Sequence, residues 1–123
     1  MHRYTKRESQ AIKYNGRETI AVLTATFSGE GNHLPEVLKR IQHNAQEVTY
    51  WFRLHCREDF VGNFAQLNPA AALKDATDHW GDLDRIEVQI GGESWSYSRP
   101  FFIAELQHKL LNLTIEDAAA VSE

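Results

Sequence analysis

The sequence predicts an α+β domain, a five-stranded, mostly antiparallel sheet in the element order β-β-α-β-α-β-β-α with the helices packed on one face. Three observations lead there. Two dipeptides suited to tight hairpins, Asn15-Gly16 and Gly91-Gly92, each separate segments of strand-like composition. Three other segments carry apolar residues at helical spacing, and each has a proline at or near its start. At 123 residues, with 42% hydrophobic and 24% charged, the chain suits a single globular domain over 1–123 that buries a core without cross-links.

The first hairpin joins Gln10–Tyr14 to Arg17–Phe27. Asn-Gly favours a type I′ turn because both residues tolerate positive φ, and a two-residue loop sets Lys13 opposite Glu18 and Tyr14 opposite Arg17. Residues 1–8 read as a basic N-terminal arm. After Gly29 and Gly31 the strand stops, and Asn32 is placed to cap a helix that tolerates Pro35 in its first turn. Leu34, Val37, Leu38, Ile41 and Ala45 give that helix one apolar stripe.

Glu47–Cys56 alternates and is β-rich, which predicts a third strand: Val48, Tyr50, Phe52, Leu54 and Cys56 on one face, Trp51, Arg53 and His55 on the other. Residues 57–67 read as irregular, with a helical turn near Phe60–Phe64. Asn68-Pro69 opens a helix over 69–80, with Gly81 beyond its end. The second hairpin puts Val88 opposite Trp95 and Ile86 opposite Tyr97, with Ser94, Ser96 and Ser98 on the reverse face. Pro100 opens a last helix with Phe102, Leu106, Leu110 and Leu113 inward, and residues 114–123 form an acidic, alanine-rich tail that frays.

Charge and cysteine content narrow the function classes. The net charge of −4 argues against a nucleic-acid partner. Its distribution is polar: Arg3, Lys6, Arg7, Lys13 and Arg17 near the start, Asp75, Asp78, Asp82, Asp84, Glu87 and Glu93 later. Cys56 is the only cysteine, so neither an intramolecular disulfide nor a thiolate cluster can form. The absence of a signal-peptide pattern or a long apolar span points to the cytoplasm and away from the membrane.

No phosphate-binding loop, dinucleotide fingerprint, nucleophile elbow or zinc-protease helix occurs in the sequence. His55 and Cys56, as strand neighbours, would point to opposite faces and could not act as a dyad. Asp75 and His79 share a helical face and are the most metal-like pair, but a shell needs further ligands; no cofactor, metal site or catalytic set is assigned. The expected site is therefore a partner-binding patch of Ile20, Val22, Trp51, Arg53 and His55 on the bare sheet face, because Trp and Arg are enriched in binding hot spots. The function this implies is a non-enzymatic protein-binding domain of inhibitor, immunity or accessory type, with a protein partner or a second copy of the chain. The alternatives are a metal-dependent enzyme using Asp75 and His79, and a nucleic-acid factor using the basic arm.

Overall fold

A computed structural model describes residues 2–57, 69–103 and 106. The elements are β1 (His2–Tyr14), β2 (Arg17–Gly29), α1 (Leu34–His55), α2 (Pro69–His79), β3 (Leu83–Ile90) and β4 (Glu93–Ser98). Residues 100–103 and 106 are helical, the beginning of a C-terminal helix at Pro100. The sheet has four strands in the order β1-β2-β3-β4, with every neighbouring pair antiparallel.

Both hairpins form where the turn residues place them. Asn15 and Gly16 have φ of 52° and 77°, the doubly positive geometry of a type I′ turn, and Lys13 pairs with Glu18. Gly91 has φ of 61°, and Val88 pairs with Trp95 and Ile86 with Tyr97. The residues expected as a basic arm are strand: β1 starts at His2, and Tyr4 pairs with Phe27 in the core.

The predicted third strand is helix. Among the described residues there is no fifth strand, and 47–55 continue α1 without a break. The physical reason lies in two overlapping patterns. Alternation holds over Val48, Tyr50, Phe52 and Leu54, but Ile41, Ala45, Val48 and Phe52 also recur at helical spacing, and no Gly or Pro stands between them to reverse the chain. Burying the second set on the sheet outweighs the modest β preference of Val, Thr, Tyr and Trp. Ile41, Ala45, Val48 and Phe52 are all fully buried or nearly so. The start of α1 also shifts: His33 is the cap residue, with no side-chain cap bond, and Pro35 lies in the first turn.

One face of the sheet carries the core. Ala21, Leu23, Ala25 and Phe27 of β2 and Leu83, Ile86, Val88 and Ile90 of β3 pack with Ile41, Val48 and Phe52 of α1 and Leu73 of α2. At the end of β2, Gly29 lets α1 close in; a Cβ there would lie 2.6 Å from Val37 Cγ1 and 2.9 Å from Ile41 Cδ1. Asp82, after α2, ties the layers together: its carbonyl accepts from Ser28 N–H, and its carboxylate accepts from Arg40 Nε at 3.0 Å and Asn44 Nδ2 at 3.1 Å.

The C-terminal helix departs from the expectation that every helix shares one face. Arg3, placed on the outer face by its pairing with Ser28, stacks its guanidinium 5.0 Å over the Phe102 ring. The first turn of that helix therefore reaches the outer face at one end. Leu110, Leu113 and the tail from residue 114 lie outside the described residues, as does the irregular segment from residue 58. Among the described residues no helix is long and apolar enough to cross a membrane.

Candidate functional site

The five residues expected to form one patch are divided among three places. Ile20 and Val22 lie on the outer sheet face, beside the row in which Val22 pairs with Ser9 and Gln89. Ile20 is 53% exposed, while Val22 is half-buried. Trp51, Arg53 and His55 are on α1 instead. Residues two apart share a face in a strand but lie about 200° apart around a helix, so the change of element separates Arg53 from Trp51. Arg53 reaches the β1 edge and pairs with Glu8 at 3.1 Å. Trp51 and His55, one turn apart, face α2 together.

There they line a groove of about 780 Å³ between α1 and α2. The α1 wall is a stripe at helical spacing: His43, Gln46, Glu47, Tyr50, Trp51, Leu54 and His55. The α2 wall is Ala72, Asp75, Ala76, His79 and Trp80. The two stripes face each other because each helix also packs a neighbouring stripe on the sheet, Val37 to Phe52 in α1 and Leu73 to Thr77 in α2.

Aromatic contacts fix the floor. Trp51 and Trp80 meet edge-to-face with centroids 6.2 Å apart at 71°, and His55 lies 4.5 Å from Trp51. His79 stands perpendicular to Trp80 at 4.7 Å. The Nδ1–H of His55 donates to the Trp51 carbonyl at 2.9 Å, which requires that nitrogen to carry the proton. Trp80 Nε1 is buried and has no hydrogen-bond partner among the described residues. Tyr50, at 61% exposure, forms the accessible part of the aromatic surface.

The charges are one-sided. Among the described residues Glu47 and Asp75 are the only carboxylates on the two walls, and neither lysine nor arginine lines them. Glu47 is met by His43 Nε2 at 3.3 Å, whereas Asp75 enters no hydrogen bond or ion pair among the described residues. Nearby cations are engaged elsewhere. Arg40 holds Asp82, Arg53 holds Glu8, and Lys74 pairs with Asp78 at 2.7 Å, which raises the Lys74 amine above its ordinary range.

This sorting disperses the acidic cluster around Asp75 and His79. Asp78 turns to Lys74 and Asp82 to α1, so only Asp75 and His79 reach the groove. Among the described residues no three His, Cys, Asp or Glu side chains gather as a metal site would require. Cys56 follows α1, half-buried, and desolvation pushes its thiol up to about 12, the behaviour of a packing residue rather than a nucleophile. It borders a second hollow, of about 580 Å³, with Ile12 and Ile20 at the tip of the first hairpin.

The sequence held the signal for the groove in the spacing of His43, Glu47, Tyr50, Trp51 and Leu54, which emerges only once 47–55 is read as helix. The α2 wall, by contrast, could not be matched to it without the packing. No protein-family model, curated protein or solved structure matches the chain.

Proposed function

We propose that this chain is a non-enzymatic protein-binding domain, of inhibitor, immunity or accessory type, and that it recognises its partner through the α1–α2 groove. The observation that carries this reading is the concentration of Tyr50, Trp51 and Trp80 in one solvent-bordering groove. Large aromatic side chains bury much apolar area at little entropic cost and dominate interface hot spots. The fates of Asp78, Asp82 and Cys56 also favour binding over chemistry, since each is committed to an ion pair or to packing.

Tyr50 is the residue to test, because it is exposed and its truncation leaves the core intact. The full chain, its Tyr50→Ala variant and an Ile20→Ala control are each used for affinity capture from the native host, with recovered proteins quantified by mass spectrometry. A hot-spot tyrosine is worth about 2 kcal/mol, or roughly thirtyfold in affinity. The expected result is a protein recovered by the parent and by Ile20→Ala but lost with Tyr50→Ala at unchanged melting temperature. Equal recovery by the parent and Tyr50→Ala overturns the groove as the recognition surface. Loss with Ile20→Ala alone moves recognition to the outer sheet face.

A further inference from the structure

We infer that the groove accepts a basic side chain, arginine or lysine, carried on a segment of the partner protein; this rests on the groove being the recognition surface. Its walls carry two carboxylates beside His43, His55 and His79, and that charge is complementary to a cation. Glu47 on α1, which also meets His43, and Asp75 on α2 contribute negative charge from opposite sides, and among the described residues no lysine or arginine lines the groove. Asp75 has no internal ion pair or hydrogen bond among the described residues, while Arg40, Arg53 and Lys74 on the same two helices are paired with other carboxylates.

Aromatic chemistry reinforces the charge. The faces of Trp and Tyr are negative by their quadrupole and attract a guanidinium or ammonium placed over them, most strongly when water is excluded. Tyr50 supplies an exposed ring beside the two carboxylates, with Trp51 and Trp80 packed behind it in the groove floor. A guanidinium can stack on a ring and direct its N–H fork to a carboxylate together, so arginine fits better than lysine. An acidic peptide or a nucleic-acid phosphate would meet Glu47 and Asp75 with repulsion, and a neutral peptide would leave both carboxylates partly desolvated without compensation.

The test titrates the full chain by tryptophan fluorescence with four blocked peptides of one glycine-rich backbone, bearing arginine, lysine, glutamine or glutamate, and with a short oligouridine. The arginine peptide is expected to saturate the signal, with lysine in place of arginine weaker. Asp75→Asn and Glu47→Gln, both nearly isosteric changes at exposed helix positions, should each weaken it about threefold or more, and raised salt should weaken it further. Binding of the glutamine peptide or the oligouridine as tight as the arginine peptide overturns the inference. So does arginine-peptide binding that both carboxylate variants leave unchanged. If no peptide binds while Tyr50→Ala still abolishes capture of the host protein, the basic occupant is refuted and the groove stands. If Tyr50→Ala leaves capture unchanged, the groove itself falls.

Discussion

Replacing Arg99 with methionine should cost the fold several of the hydrogen bonds that tie the end of α2 to the sheet. Arg99 follows β4 and turns its guanidinium onto the end of α2. Its Nε donates to the Leu83 carbonyl at 2.7 Å, and a terminal nitrogen donates to the carbonyls of Trp80, at 3.2 Å, and Thr77. The last carbonyls of a helix have no partners within it and carry the negative end of its dipole, so a cation there satisfies both needs. A hydrogen bond from a charged donor is worth about 1.5–3 kcal/mol net. Three bonds from one partly exposed guanidinium are not additive, because water replaces some of what is lost. Arg99→Met should therefore cost about 2–4 kcal/mol. For a chain of this size that corresponds to roughly 8–16 °C in Tm. Arg99→Lys, which keeps the charge but not the fork, should lose about half as much. Urea unfolding followed by circular dichroism measures both, and an unchanged slope would place the effect in the folded state. The backbone bond from Arg99 N–H to the Asp84 carbonyl persists in either variant, so the comparison isolates the side chain. A loss below about 0.5 kcal/mol for methionine, or lysine as damaging as methionine, would refute the account.

Two further predictions concern close packing and the thiol. Gly29→Ala should destabilise by about 1–3 kcal/mol in the same urea assay, because its Cβ would collide with Val37 and Ile41; pairing it with Val37→Ala should recover part of the Gly29→Ala loss by making room, and strict additivity would count against the close approach. Cys56, with its thiol raised to about 12, should alkylate slowly at pH 8 and faster as pH rises toward that value, since only the thiolate reacts. Relative to the unfolded chain the rate at pH 8 should fall by about three orders of magnitude on thiolate fraction; iodoacetamide labelling followed by mass spectrometry reads it, and equal rates in folded and urea-unfolded protein would contradict the burial.

How much was legible beforehand depends on whether the deciding interaction is local. The two hairpins were, since Asn15-Gly16 and Gly91-Gly92 allow few turn geometries and each turn sets its own register. The start of α2 at Pro69 and the C-terminal helix at Pro100 were legible for a similar reason, because proline restricts the backbone at its own position. The candidate site was less so. Trp51 and His55 were expected together and do lie side by side, but on α1 rather than on a strand, and Arg53 points elsewhere.

By itself, then, the sequence determined the α+β class, both hairpins and their facing pairs, and the placement of three helix starts to within a residue or two. These follow from steric limits that act over a few bonds. Tertiary structure alone decided that 47–55 is helix, because its residues satisfy period 2 and period 3.6 alike and only burial of Ile41, Ala45, Val48 and Phe52 on the sheet separates the two. Tertiary structure also paired β2 with β3 and brought Trp80 to Trp51. The groove exists because two helices far apart in sequence share one sheet, and no local preference encodes which of their flanks will meet.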